Sequence, residues 1–189
     1  MTTDAGNKQI LRRRIAEQAA ALPADYREEA SRAIAEKLLQ SEFWRQAKSV
    51  FLYFSLPTEP DTAPLFSAAF AENKTVYVPK CVSKTEMLAV RFTPETPLSP
   101  DAFGIPAPTA GAAVSPREID LTVAPCVAAD KTGVRLGHGA GYYDRFLANG
   151  GGRTVCLCFG RLLFERLPKE ENDVRVDRVI TEESRKKIK

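Results

Sequence analysis

Val50-Phe51-Leu52-Tyr53-Phe54 is an unbroken run of apolar, strand-forming residues. Alternation of polar and apolar positions marks a strand with one wet face; a run without alternation marks a strand buried on both faces. A chain carrying such a strand must cover it from two sides. The segments around it have the right periodicities. Thr62–Asn73 reads as a helix, Thr75-Val76-Tyr77-Val78 as a second buried strand and Leu88–Phe92 as a third. Leu121–Pro125, Thr154–Phe159 and a last strand around Val179–Ile180 repeat the pattern downstream.

Upstream of Ser49 the period is helical. A first helix is expected from about Thr3 to Ala21, with Leu11, Ile15, Gln18 or Ala19, and Leu22 in one stripe. Pro23 interrupts it. A second is expected over Asp25–Leu39, turning Ala30, Ala33, Ile34, Lys37 and Leu38 inward, and Ser41 is suited to cap a short turn through Trp44. Proline and small residues dominate Pro94–Pro116, which reads as an ordered loop. Buried strands alternating with helices predict a single three-layer α/β/α domain over residues 1–189, built on a mainly parallel, Rossmann-like sheet. Ligands of such sheets gather at the carboxyl ends of the strands. That rule draws together the Ser55–Thr62 loop, the Ala128–Gly141 loop and the segment after Phe159.

Twenty-seven basic against 24 acidic residues is too even a balance to argue for nucleic acid. The basic run Arg185–Lys189 reads as a solvated terminus. Cys81, Cys126, Cys156 and Cys158 lie in apolar runs without C-x-x-C spacing, and a lone histidine cannot complete a zinc site of the usual kind. Free thiols in a reducing compartment are expected. With no signal-peptide pattern and no apolar run long enough to span a bilayer, the chain is expected in the cytoplasm, away from membranes, as a monomer.

Arg135-Leu-Gly-His-Gly-Ala-Gly-Tyr-Tyr-Asp-Arg145 is the stretch that promises chemistry. Gly137, Gly139 and Gly141 recur at every second position, so backbone can approach a ligand closely, and a helical pattern follows them. A glycine loop opening onto a helix start offers unpaired N–H groups to phosphate. Neither the P-loop, with its Lys-Ser/Thr pair, nor the dinucleotide G-x-G-x-x-G spacing fits, which argues against a nucleotide-binding oxidoreductase.

Lys8 and Arg12 lie one helical turn apart, so they project from one side of the first helix; on spacing alone, a solvated face shared with Arg13 and Arg14 is the plainer reading. Asp61 or Thr62 is the natural cap of the following helix, which leaves Glu59 without a structural duty. Asp144, in the first turn after the glycine loop, is either a charge–dipole partner or a magnesium ligand. Asp173, Asp177 and Glu170 compete as a second carboxylate. His138 has no Ser or Cys partner in sequence, so a nucleophilic triad is not expected.

Together these residues resemble the 5-formyltetrahydrofolate cyclo-ligase (methenyltetrahydrofolate synthetase) family. The likeness rests on the glycine signature and on Lys8-x-x-x-Arg12, Glu59-Pro-Asp-Thr62, Val78-Pro79, Gly104-Ile105-Pro106, Asp120-Leu-x-x-x-Pro125, Leu167-Pro168 through Asn172-Asp173, Asp177 and Thr181-Glu182. It implies ATP- and Mg2+-dependent closure of 5-formyltetrahydrofolate to 5,10-methenyltetrahydrofolate, with release of ADP and phosphate. By position, Lys8, Arg12 and Arg135 would hold the ATP phosphates, over a nucleotide-binding stretch of Leu136, Gly137, His138, Gly139, Ala140, Gly141, Tyr142 and Tyr143. Phe54 and Glu59 would contact the folate, and His138 through Tyr142 would line the junction of the two substrates. Arg135, His138 and Tyr142 would form the catalytic set, and Asp144 and Asp173 would bind magnesium. The chain departs from the family pattern at His138 (usually Tyr or Arg), at Ala140 (usually Gly or Lys) and at Leu162 (often Gln), the last with Arg161 beside it as a substitute. A non-catalytic binder, or an enzyme acting on another formamide, are the rival readings.

Overall fold

The computed structural model describes residues 4–102 and 104–183, with side chains from Lys8 onward. Thr3 and the Arg185–Lys189 run lie outside the described residues. Three helices come first: α1 (Asp4–Ala20), α2 (Ala24–Leu39) and α3 (Glu42–Gln46), the last capped by the Ser41 hydroxyl, which accepts from Trp44 N. The chain continues through β1 (Ser49–Phe51), α4 (Ala63–Ala71), β2 (Thr75–Cys81), β3 (Met87–Phe92), β4 (Leu98–Pro100), β5 (Pro106–Pro108) and β6 (Ala113–Val114). It ends with β7 (Leu121–Ala124), β8 (Ala128–Asp130), β9 (Arg135–Leu136), α5 (Tyr142–Leu147), β10 (Arg153–Leu157), β11 (Leu163–Phe164) and β12 (Arg178–Ile180).

Seven strands form the main sheet in the order β12-β10-β7-β1-β2-β3-β6. The five from β12 to β2 run parallel; β3 and β6 add an antiparallel edge. The mainly parallel α/β architecture is as the apolar runs predict. Side chains alternate across β1, and this separates two cores. Val50 and Leu52 pack with Ile34, Leu38, Leu65 and Ala69 of α2 and α4, whereas Phe51 faces Phe146 and Leu147 of α5. No helix among the described residues is long and apolar enough to cross a membrane.

Several expectations need correction. The Pro94–Pro116 segment is not a plain loop: β4 and β5 pair as a hairpin and β6 joins the main sheet. The Ala128–Gly141 loop contains β8 and β9, which with β11 form a separate three-stranded sheet. These strands are two or three residues long, too short to show a period. On α2, Ser31 and Ala35 are buried where Ala33 and Lys37 were expected, and on α1 Ala19 rather than Gln18 is buried. Cys126, Cys156 and Cys158 are buried free thiols, but Cys81 is only half-buried.

Candidate active site

A cavity of about 1020 Å3 opens where β1, β2 and β7 end. It is bordered by residues from α1, the β1–α4 loop, the end of β2, the glycine loop, α5 and the 170–174 segment. Every residue singled out in the sequence as a site candidate borders it except Asp177 and Arg161, the candidate substitute at the Leu162 position. Asp177 lies at the other end of the sheet, where its carboxylate accepts from Thr154 N at 2.7 Å. Of the three competing carboxylates, Asp173 and Glu170 are therefore the ones at the cavity.

The glycine loop is positioned by the small sheet. Asp130 accepts from Thr132 N and Val134 N through one carboxylate oxygen and from Leu167 N through the other, which fixes the β8–β9 turn. β9 then delivers Arg135 to the cavity wall. Beyond it, Gly139 (φ 107°) and Gly141 (φ 70°) occupy left-handed backbone that disfavours side chains. A β-carbon on Gly141 would also stand 2.7 Å from Arg145 Nη1. Arg145 explains that crowding. It donates from Nε to Thr85 O (2.6 Å) and from Nη2 to Ala140 O (2.7 Å), while Tyr142 donates to Ser83 O (2.8 Å). The tip of the β2–β3 hairpin is thus clamped to the glycine loop, a contact that no local sequence signal announces.

One flank of the cavity is ionic. Lys8, with 3% of its side chain exposed, pairs with Asp173 and with Glu170 at 3.4 Å. Arg135, 2% exposed, donates to Asp144 Oδ1 at 3.1 Å, and the same oxygen accepts from Val174 N at 3.0 Å. Arg12 donates from Nε to Gly137 O at 3.0 Å. The i, i+4 pair of α1 thus faces the cavity and is not a solvated surface, whereas Arg13 is exposed and pairs with Glu17. Burying Lys8 and Arg135 is costly unless anions face them. Here the anions are the two carboxylates selected in the sequence as magnesium ligands.

The opposite flank is apolar, with one carboxylate in it. Phe54 stacks on Phe66 at a centroid distance of 5.1 Å and meets Phe92 edge-on, which holds its ring at the cavity rim. Met87 and Ile105 complete this side. Glu59 is buried, accepting from Leu56 N at 2.9 Å through Oε2 and bonded to His138 Nε2 at 2.9 Å through Oε1. His138, half-exposed, therefore has a carboxylate partner and, among the described residues, no Ser or Cys hydrogen-bonded to its ring. The capping question also resolves: Asp61 accepts from Ala63 N (2.9 Å), while Thr62 donates its hydroxyl to Tyr53 O (2.7 Å). Arg161 sits over the ring of Tyr26 (4.2 Å) and does not border the cavity, so it is no substitute at the Leu162 position.

With this geometry in hand, the profile of the 5-formyltetrahydrofolate cyclo-ligase family matches residues 4–182. The chain belongs to that family. A 5-formyltetrahydrofolate cyclo-ligase of Haemophilus influenzae is 36% identical over 174 residues, covering 88% of this chain and 93% of the relative. The mouse cyclo-ligase is 27% identical over 191 residues, covering 94% of each. The solved 5,10-methenyltetrahydrofolate synthetase of Aquifex aeolicus superposes with a TM-score of 0.83 at 33% identity, covering 94% of this chain and 90% of that one. The enzyme class read from the glycine signature stands, as does the fold.

The carboxylates can be tested against the magnesium expectation. Among the described residues no group of three or more His, Cys, Asp or Glu side chains is arranged to hold a metal ion. Magnesium that binds with phosphates commonly needs only one or two protein carboxylates, because phosphate and water supply the other oxygens. Asp144 is engaged through Oδ1 and Asp173 through Oδ2, so each keeps a second oxygen outside these bonds. Arg135 Nε is buried with no hydrogen-bond partner among the described residues, a donor suited to a further anion. The donor set fits a metal–polyphosphate ligand and not a metal held by protein alone.

Proposed function

We propose that this cyclo-ligase closes 5-formyltetrahydrofolate to 5,10-methenyltetrahydrofolate at the expense of ATP, releasing ADP and phosphate, with Mg2+ bound alongside the nucleotide. The observation that carries the reading is a single cavity with an ionic flank and an apolar flank, joined by the glycine loop. The ionic side, with Lys8, Arg12 and Arg135, suits a polyphosphate. The apolar side, with Phe54 and the buried Glu59 carboxylate, suits a flat heterocycle carrying N–H groups.

In this mechanism the formyl oxygen attacks the γ-phosphorus and ADP leaves. The formyl carbon becomes an iminium phosphate. N10 of the folate adds to that carbon, loses its proton, and the C–O bond to phosphate breaks. Positioning and charge neutralisation do the work, so no protein nucleophile is required. Lys8, Arg12 and Arg135 orient the phosphates, and the Gly137–Gly141 backbone lets them approach. Glu59, held by Leu56 N and His138, accepts from the pterin. Tyr142, whose hydroxyl is already committed to Ser83, serves as a wall of the junction and anchors the hairpin. Asp144 and Asp173 would hold Mg2+, which when bound neutralises charge on the transferring phosphoryl group.

The test is absorbance of the methenyl product with 5-formyltetrahydrofolate, ATP and Mg2+. Product formation dependent on all three is expected. Folate binding without turnover would leave a non-catalytic binder, and ATP hydrolysis only with a different formyl compound would leave a relative of altered substrate.

A further inference from the structure

Three buried side-chain polar atoms lack a hydrogen-bond partner among the described residues: Arg135 Nε and the hydroxyls of Tyr53 and Tyr143. All three residues border the one cavity. Unpaired buried polar atoms cost free energy and are few in folded proteins, so their convergence calls for a ligand. Arg135 is accounted for by the phosphates. Tyr53 is not, because it belongs to an apolar run that reads as plain core.

Its placement is fixed by the fold. Phe51 packs against Phe146 of α5 and stacks on Tyr143 at 6.0 Å. Tyr53, just beyond the strand, packs instead with the core that holds Val50 and Leu52, and it borders the cavity where the strand ends. Its carbonyl is held by the Thr62 hydroxyl. Only 4% of the residue is exposed. Burial foremost, and then the charge of Glu59, push the Tyr53 phenol well above its ordinary value, so it remains a neutral O–H donor throughout the working range.

A buried carboxylate accepts N–H; a phenol beside it donates to C=O. We infer that Tyr53, with Tyr143, is a specificity-determining residue that donates to the ring carbonyl of the substrate, next to the N–H groups that Glu59 accepts. The pair would read a lactam edge, N–H beside C=O. A ring that carries an amino group at the carbonyl position presents a donor to a donor there. This inference rests on the folate reading of the apolar flank.

The experiment compares wild type with Tyr53→Phe. Equilibrium binding is measured for 5-formyltetrahydrofolate, for a 2,4-diaminopteridine analogue that lacks the ring carbonyl, and for ATP. Wild type is expected to prefer the lactam ring. Tyr53→Phe should weaken the folate on the order of tenfold, leave the diamino analogue and ATP unchanged, and keep or raise the thermal midpoint. A variant that binds the folate as tightly as wild type, or discriminates the two rings equally well, overturns the inference and leaves the proposed function intact. Failure of wild type itself to bind 5-formyltetrahydrofolate would instead remove the function on which it rests. Unchanged ATP affinity guards against misfolding, and Tyr143→Phe, tested the same way, separates the two hydroxyls.

Discussion

The two ends of the parallel sheet use the same residue type in opposite ways. At the amino-terminal end, Asp120 accepts from Lys48 N, Ser49 N and the Ser49 hydroxyl, and Asp177 accepts from Thr154 N and its hydroxyl. Those donors are neutral and lie on adjacent strands, so each carboxylate ties two strand starts together. At the carboxyl end, Asp144 and Asp173 face the buried cations Arg135 and Lys8. The amide-bonded carboxylates finish a task within the fold. The cation-bonded ones hold an arrangement that a polyanion and a metal can take over, because phosphates can replace the carboxylates around the cations. What distinguishes the two aspartates proposed as metal ligands from the two at the amino-terminal end is the charge and burial of their partners.

Asp144→Asn gives the sharpest break of that comparison. The amide keeps an oxygen for Arg135 and Val174 N but loses the charge. Activity should fall on the order of a hundredfold, the scale of one lost transition-state electrostatic contact, with the fold retained by circular dichroism. Asn is the informative replacement, since Ala would leave Arg135 buried without its partner. Asp177→Asn, made in parallel, should leave kcat and KM unchanged. Equal activity in the two variants would abolish the distinction between the ends.

Next in size is Lys8→Met. Loss of a buried charged donor to phosphate should raise the KM for ATP roughly thirtyfold and leave folate binding untouched. A matching loss of folate affinity would mean that the ionic and apolar flanks are not separate. Glu59→Gln probes the other flank. The amide still accepts, but its NH2 opposes a ligand N–H, so the folate KM should rise about tenfold with the ATP KM unchanged. An ATP effect of the same size would break the two-flank division from the other side.

The legible parts of this molecule are those whose signal is local. Apolar runs reveal β1, β2, β7 and β10, and the spaced glycines reveal the loop, of which Gly139 and Gly141 need left-handed backbone. The i, i+4 spacing of Lys8 and Arg12 is equally plain in the sequence, but their burial is not. The partner of Lys8 is Asp173, 165 residues away, and helical periodicity reads a charged stripe as solvent-facing by default. The same distance problem hides the hairpin clamp by Tyr142 and Arg145, at separations of 59 and 60 residues. Tyr53 was hidden for another reason. An aromatic inside an apolar run looks like core, and only the unpaired hydroxyl at the cavity gives it away.

The smallest effect belongs to the amino-terminal end and appears in stability alone. Burial pulls the Asp120 carboxyl upward, but the amides of Lys48 and Ser49 and the Ser49 hydroxyl outweigh it and hold it below the usual carboxylate value. A group whose pKa is lower folded than unfolded stabilises the protein above its unfolded value, about 3.9 for Asp, and that stabilisation is lost as pH falls through the folded value. The thermal midpoint should therefore drop as pH is lowered below about 4, and Asp120→Asn should flatten that part of the curve. Near neutrality the variant should lose no more than about 1 kcal/mol, since an amide accepts the two backbone N–H groups less strongly than a carboxylate but solvent screens this exposed group. Turnover at pH 7 should not change, because Asp120 ties the start of β1 to the start of β7 at the end of the sheet away from the glycine loop. An acid limb identical in variant and wild type would show that this carboxylate does not set the pH dependence, and a loss of turnover would show that the two ends of the sheet are coupled.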